Sequence, residues 1–245
     1  MSLPALVVPD EPGVPLPRFA VIGTYDGPNS TFVRHVALLR EDSNVLHGLN
    51  VHVFHMGPPL VVGVRSQEQA GDAPTCGPHV GGWLSLTADE REGITDWLAE
   101  VDKEHRPIEP MGPWRTYIVD PPERWHEDEK QVRLYRRFSC GGFVLACYRD
   151  GAGITLIEVP PPVAWPEVSL DQIVRVYGPE VRERERLRRS LGLPGDGPWS
   201  VLLAGYVIHA FDRPDNEIRT SAFSVTNPEH ARFNGPHAPF SPTSA

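Results

Sequence analysis

The chain has 245 residues, 40% hydrophobic and 22% charged, which is ordinary for a globular protein able to bury a substantial core. Its formal net charge is −9 and its only lysines are Lys103 and Lys130, which argues against nucleic-acid binding because that function needs dense positive charge. We expect a cytoplasmic protein, since no transmembrane stretch, secretory signal or even-numbered set of cysteines is present.

The first half of the chain predicts an extended segment followed by antiparallel strands. Residues 1–17 are rich in proline, which favours extended backbone. Runs of strand-forming residues follow, and the turn residues 41–44 predict a hairpin between the second and third runs. The predicted strands are 18–23, 35–39, 45–47, 51–55 and 60–64. Residues 66–82 are rich in Gly, Pro and Asp and predict a surface loop that contains Cys76.

The second half predicts a mixture of helices and strands. Thr87 and Glu90 form a capping-box pattern, and apolar residues at helical spacing follow, so we expect a helix over 88–104. Further helices are expected after Cys140 and over 169–177 and 179–191, and strands over 114–119 and 199–211. Apolar content collapses near residue 227. The expected organisation is an extended segment 1–17, a domain 18–226 and a disordered tail 227–245.

Cys140 is the strongest candidate for a reactive residue. It opens an apolar helix, where the first N–H groups are unpaired and favour negative charge. A thiolate at such a position has a lowered pKa and a higher reactivity. Gly141 and Gly142 follow, and residues without a Cβ would let a substrate carbonyl approach the N–H groups of an oxyanion hole. A buried structural cysteine is the alternative.

The residues around Cys140 carry a resemblance to a known superfamily. The stretch Ser139-Cys140-Gly141-Gly142-Phe143-Val144, with Tyr148 and Gly153-Ile154 after it, resembles the nucleophile helix of NlpC-type papain-like cysteine enzymes. In their usual order the histidine strand follows the cysteine, whereas here the best such strand, 35–39, precedes it. His47 stands twelve residues after His35. This order is similar to the circularly permuted branch that includes lecithin:retinol acyltransferase.

The resemblance implies an α+β papain-like fold in permuted order, with an antiparallel sheet packed on the nucleophile helix and with extra helices. It implies a cysteine hydrolase or acyltransferase that uses no cofactor and no metal. Cys140 would attack an amide, ester or thioester of a small-molecule or peptide substrate. His35 would act as base, His47 would orient it, and Gly141 and Gly142 would line the oxyanion side.

Three other interpretations of the sequence are compared with the permuted cysteine enzyme. An unpermuted NlpC-type peptidase would pair Cys140 with His209, which lies on a predicted apolar strand. A non-catalytic papain-like module would bind a partner through the same fold. The cluster of His47, His52 and His55 suggests a metal, but no carboxylate is placed among these histidines, so we predict no metal site.

Overall fold

A five-stranded antiparallel sheet forms one part of this computed structural model. Its strands are β1 (Arg18–Tyr25), β2 (Val33–Asn44), β3 (Gly48–Met56), β4 (Leu60–Ser66) and β5 (His79–Trp83), in the spatial order β4-β3-β2-β1-β5. Successive hairpins build the first four strands, and β5 pairs with the free edge of β1. The structure describes residues 18–25, 33–44, 48–56, 60–66, 79–112, 114–158 and 167–224.

The remaining described chain is mainly helical. Helix α1 (Ala88–His105) leads through a 3-10 turn (Glu109–Met111) to the hairpin of β6 (Glu123–Glu127) and β7 (Arg133–Phe138). Next come α2 (Cys140–Ala146) with a π-helical turn (Cys147–Gly151), β8 (Glu167–Val168), α3 (Leu170–Tyr177), α4 (Glu180–Glu183), α5 (Glu185–Ser190), β9 (Trp199–Ser200), α6 (Ala204–Ala210) and α7 (Asp215–Thr220). The fold is therefore mixed α+β with antiparallel sheets, which confirms the coarse prediction.

The two faces of the main sheet belong to different cores. Val36 and Leu38 of β2 pack in the large core that also contains the side chains of α2 and α6. Ala37 and Leu39 belong to a separate small cluster. Side chains alternate between the faces of a strand, so consecutive residues of β2 take part in different environments. This alternation decides which histidines can meet Cys140.

Side-chain caps set the starts of the principal helices. Thr87 and Glu90 form the capping box of α1 that the sequence predicted, since each side chain accepts from the other residue's backbone N–H. Ser139 caps α2 by accepting from the N–H of Gly142 at 2.9 Å. Ser169 caps α3 in the same way. Thus α1, α2 and α3 begin where local chemistry predicts.

Several predicted elements need correction. Residues 41–44 belong to β2 rather than to a turn, and 114–119 contains only an isolated bridge from Tyr117 to Phe138. The predicted helix 179–191 is two short helices separated at Arg184. The predicted strand 199–211 is a two-residue strand followed by α6, because an apolar run buried on most sides fits strand and helix equally well. Segments 1–17, 45–47 and 227–245 and most of the 66–82 loop lie outside the described residues, as does Cys76.

No helix within the described ranges combines the length and the apolar composition needed to cross a bilayer.

Candidate functional site

Cys140 is the first residue of α2, and it lies in the large core rather than at the surface. Only 6% of the residue is exposed. Its thiol lies near the start of β2, where the backbone N–H of Val36 acts on it together with the N–H of Gly141. A helix start and a strand therefore meet at this sulfur.

Burial decides the protonation state of the thiol. It raises the pKa of Cys140, and the hydrogen bonds from Val36, Gly141 and Tyr117 oppose that rise without reversing it. The thiol is therefore protonated at neutral pH, contrary to the lowered pKa expected from its place at the helix start. The Tyr117 hydroxyl, which also receives the N–H of Cys140, lies 2.9 Å from the hydroxyl of Tyr177.

His35 does not meet Cys140, which corrects the predicted pair. His35 is the register partner of Thr24, and it shares a face of β2 with Ala37 and Leu39 of the small cluster. A β-bulge at the end of the β1–β2 ladder makes Arg34 the extra residue, so the large core contains Val33 and Val36 but not His35. The sequence predicted the strand correctly, but side-chain alternation puts its histidine on the face of Ala37 and Leu39, and the bulge puts Val33 on the other face.

The other predicted site residues take different places. His47 lies outside the described residues. His209 is near the end of α6 rather than on a strand, with its Nδ1 3.3 Å from a carboxylate oxygen of Asp212.

The N–H of Gly142 already donates to Ser139, and a Cβ on Gly142 would lie 1.8 Å from the carbonyl oxygen of Pro122. Gly142 is therefore required by the close approach of two backbone segments, not by a substrate.

The space beside Cys140 is small. The cavity has a volume of about 30 Å³ and is lined by residues that include Arg34, Tyr177, Leu202 and Ala204. A cavity needs roughly 10–15 Å³ to hold one water, so this one has room for a water or two and not for an acyl group. Among the described residues, no histidine lines the cavity. As folded, the site shields the thiol from bulk solvent and has no room for a substrate.

A much larger pocket of about 820 Å³ lies between the 3-10 turn, the β6–β7 hairpin and α5. Its charged and titratable lining is dominated by arginine: Arg115, Arg137, Arg184 and Arg186 are accompanied by Glu185 and His126. This is a local excess of positive charge in a chain whose net charge is −9. Arginine presents planar donors that match carboxylate and phosphate oxygens.

Arg137 is the most firmly held of these arginines. Its Nη2 donates to the backbone carbonyl oxygens of Tyr117 at 2.5 Å, Ser190 at 2.8 Å and Trp114 at 3.4 Å. Its Nε is buried and has no hydrogen-bond partner among the described residues. Burial and the neighbouring Arg124 and Arg115 lower its pKa. The guanidinium is thus fixed in place, and its one buried donor without a partner is the Nε–H.

Aromatic and aliphatic side chains form the rest of the pocket wall. The rings of His126 and Tyr135 lie 4.7 Å apart on paired positions of β6 and β7, and Trp114 and Leu187 complete this part of the lining. Partial burial, followed by the charges of Arg137 and Arg115, lowers the pKa of His126, so the imidazole is neutral near pH 7. A planar apolar group could pack here beside an anion held by the arginines.

Sequence reasoning missed this pocket. The charges of the run 182–189 alternate in sign, a pattern typical of a solvated helix face. Glu185 does bond Arg189 at 2.6 Å, as such a face predicts. Arg186, however, lines the pocket, and Arg115 and Arg137 come from segments far away in the chain. The sequence signal for this pocket was the arginine-rich hairpin of β6 and β7, in which aromatic residues are interleaved. Only the fold brings this hairpin close to α5.

Comparisons with protein-family models, curated proteins and solved structures return no match. Among the residues that the structure describes, no group of three or more His, Cys, Asp or Glu side chains is arranged to hold a metal ion. The function is therefore inferred from the two sites themselves.

Proposed function

We propose that this protein is a binding domain for an anionic small molecule and that the arginine pocket is its binding site. The observation that carries the proposal is the concentration of Arg115, Arg137, Arg184 and Arg186 around one cavity of about 820 Å³. Known small-molecule sites have volumes of about 300–1,000 Å³. The sequence analysis left open a non-catalytic binding module. The arginines of the pocket indicate that the ligand of such a module is an anion.

The charges of the pocket are not cancelled by neighbouring acids. Arg115 and Arg186 form no ion pair with any described residue, and Arg184 is 3.7 Å from Glu180 at an exposed position. Glu185 is bonded to Arg189, so its charge is already balanced in part. Like charges held together in a partly enclosed space repel each other, and a bound anion would relieve that repulsion.

The lining indicates more about the ligand than its charge. Trp114, His126 and Tyr135 offer flat surfaces, and Leu187 adds apolar area. A ligand with a planar ring and a phosphate or carboxylate group would use both parts of the pocket, because the ring would pack on the aromatic wall while the anion met the arginines. The proposed class is therefore aryl or heteroaryl phosphates and carboxylates.

Calorimetric titration with three probes tests this proposal. Phenyl phosphate should bind, inorganic phosphate should bind more weakly, and neutral benzyl alcohol should show no measurable binding. The Arg115→Ala variant should bind phenyl phosphate at least ~10-fold more weakly, since a hydrogen bond to a charged group is worth about 1.5–3 kcal/mol. Arg115 makes no side-chain bond to a described residue, so this change should leave the fold intact.

A matched control separates pocket charge from total charge. Arg106 is exposed, pairs with Asp102 one turn away and does not line the pocket. Arg106→Ala removes the same charge and should bind phenyl phosphate with unchanged affinity. Equal loss in both variants, or equal binding of phenyl phosphate and benzyl alcohol by the wild-type protein, would refute a specific anion site.

Cysteine chemistry remains a second candidate because of one observation. The N–H groups of Val36 and Gly141 and the hydroxyl of Tyr117 all act on the Cys140 thiol in a way that favours its anion. A hydrolase or acyltransferase of the papain-like class would need the cavity to open and a base to approach, and His35 would have to change face to serve. The specific papain-like assignment stays a prediction.

Acyl transfer to Cys140 can be examined by mass spectrometry. The protein is incubated with a panel of acyl thioesters, esters and γ-glutamyl amides, and the acyl mass on the Cys140 peptide is measured. A thiol that reacts only in urea is buried and structural, which is the result we expect from its raised pKa. Acylation of the native protein that disappears in Cys140→Ser would instead favour the enzyme.

A further inference from the structure

The β6–β7 hairpin presents an aromatic pair and an arginine pair on the face that lines the arginine pocket. His126 is the register partner of Tyr135. Two residues along the strands, Arg124 is the register partner of Arg137. Side chains two residues apart on a strand share a face and are separated by about 6.7 Å. A flat surface and a cationic one therefore lie side by side at a defined distance.

The arginine pair is an unfavourable contact in itself. Like charges directly opposite each other on paired strands destabilise a sheet. Burial, followed by the charges of Arg124 and Arg115, lowers the pKa of Arg137, so these guanidinium groups act on one another. Among the described residues, Arg137 donates to backbone carbonyl oxygens and not to a carboxylate. An anion beside the pair would therefore relieve a repulsion that the hairpin contains.

Helix α5 supplies a second cationic position. The Nη2 of Arg137 donates to the carbonyl oxygen of Ser190, the last residue of α5, at 2.8 Å. Arg186 lies four residues before Ser190, so the two residues share a face of the helix and are about 6 Å apart along its axis. Both line the pocket. A phosphate held at Arg137 thus leaves Arg186, about one helical turn away, for a second anionic group.

The charge of the lining also favours more than one anionic group. Four arginines and one glutamate line the pocket, which leaves an excess of three positive charges. The glutamate, Glu185, already bonds Arg189. A phosphate monoester carries a charge of about −1.5 to −2 at pH 7, so it leaves part of the excess unbalanced. A second phosphoryl group would balance the remainder.

We propose that the arginine pocket binds a nucleoside diphosphate, a proposal that rests on the pocket being an anion site. A ribose sets a base and its 5′-phosphate several ångströms apart, which suits the spacing of the aromatic and arginine pairs. The base packs on His126 and Tyr135 while the first phosphate meets Arg137. The second phosphate extends along α5 to Arg186. The pocket volume of about 820 Å³ accommodates a ligand of this size.

Calorimetric titration of the full-length protein with ADP, AMP, adenosine and phenyl phosphate tests the proposal. The titrations are run in EDTA at constant ionic strength, so that no divalent cation carries the phosphates. ADP should bind at least ~10-fold more tightly than AMP, because only its second phosphate reaches Arg186. Adenosine, which carries no anion, should show no measurable binding. This comparison uses the wild-type protein and depends on no variant.

Arg186→Ala separates the two phosphate positions. Arg186 is exposed and alanine is the best helix former, so the variant should fold as the wild-type protein does. It should bind ADP at least ~10-fold more weakly and AMP within about 2-fold of the wild-type affinity. Arg182→Ala is the matched control, because Arg182 is exposed, pairs with Asp171 and does not line the pocket. That variant should bind both nucleotides with unchanged affinity.

The outcomes distinguish this proposal from the anion site on which it rests. Equal affinities for AMP and ADP, or equal losses for both in Arg186→Ala, would overturn the second phosphate position while the anion site stands. A protein that binds phenyl phosphate but neither nucleotide would overturn the nucleoside diphosphate alone. A protein that binds none of the four probes would refute the anion site as well.

Discussion

The Cys140 cavity and the arginine pocket differ in their volume and in the charge of the residues that surround them. At Cys140 the residue type suggests catalysis, but only 6% of the residue is exposed, the pKa of its thiol is raised, and the space beside it is about 30 Å³. At the arginine pocket the residue types are ordinary, but about 820 Å³ of space is surrounded by unbalanced positive charge. Access and surroundings indicate function more directly than residue identity does.

The two glycines after Cys140 provide the largest expected effect. A Cβ on Gly142 would lie 1.8 Å from a backbone carbonyl oxygen, whereas one on Gly141 would make ordinary contacts of 3.4 and 3.5 Å with Val207 and Leu202. Gly142→Ala should therefore lower the free energy of unfolding by more than about 3 kcal/mol. Gly141→Ala should change it by less than about 1 kcal/mol, because alanine is the better helix former.

Urea denaturation measures both glycine variants. If Gly142→Ala were as stable as Gly141→Ala, the close packing at the start of α2 would be incorrect. The proposed structural role of Gly142 would then give way to the oxyanion role predicted from the sequence.

Arg137 should contribute both to the stability of the fold and to the affinity for the ligand. Its guanidinium donates to three backbone carbonyl oxygens and lines the pocket. Arg137→Met should lower the free energy of unfolding by about 2–4 kcal/mol, because buried acceptors lose a charged donor. It should also weaken phenyl phosphate binding more than Arg115→Ala does. An Arg137→Met protein with unchanged melting and unchanged affinity would contradict the geometry of the pocket.

The hydroxyl pair beside Cys140 is expected to have a smaller, structural effect. Tyr117→Phe leaves the hydroxyl of Tyr177 and the N–H of Cys140 without their partner, which should cost about 1–3 kcal/mol. Tyr148 is also fully buried, but its hydroxyl has no described partner, so Tyr148→Phe should cost nothing or stabilise the protein. Thermal unfolding compares the two. Equal losses would mean that the Tyr117–Tyr177 bond contributes little.

The smallest expected effect concerns pH. His126 is surrounded by Tyr135 and by Arg137, Arg115 and Arg124, and the arginines together with partial burial lower its pKa. A bound anion would offset the arginine charges and raise that pKa, so binding should take up protons and tighten as pH falls from about 7.5 to 6. Benzenesulfonate is the suitable probe because its own charge is constant in this range.

Calorimetry in buffers of different ionisation enthalpy measures the proton uptake directly. His126→Asn should bind with an affinity that no longer depends on pH. Proton release on binding, or an unchanged pH dependence in that variant, would show that His126 does not face the ligand.

Local chemistry was sufficient to predict part of this structure. The capping box at Thr87 and the apolar periodicity after it identify α1, and helical spacing over 169–177 identifies α3, because these signals act within a few residues. The mixed α+β class followed from the same patterns. Residues 199–211 were misassigned because α6 is buried on most sides and has no polar face to reveal its period.

The site was harder to predict because it depends on direction and on distant contacts. The alternation of side chains along β2 puts His35 on the face of Ala37 and Leu39, away from Cys140. The pocket joins Arg115, a hairpin and α5, which no local signal connects. Resemblance around Cys140 identified a plausible nucleophile helix, but the depth at which that helix is buried follows from the whole fold.

The most direct measurement is binding of phenyl phosphate to Cys140→Ala and Arg115→Ala side by side. If the ligand site is the arginine pocket, Cys140→Ala should bind within about 2-fold of the wild-type protein, while Arg115→Ala should lose at least ~10-fold. The opposite pattern, with affinity lost in Cys140→Ala and kept in Arg115→Ala, would place the site at the thiol and contradict the account.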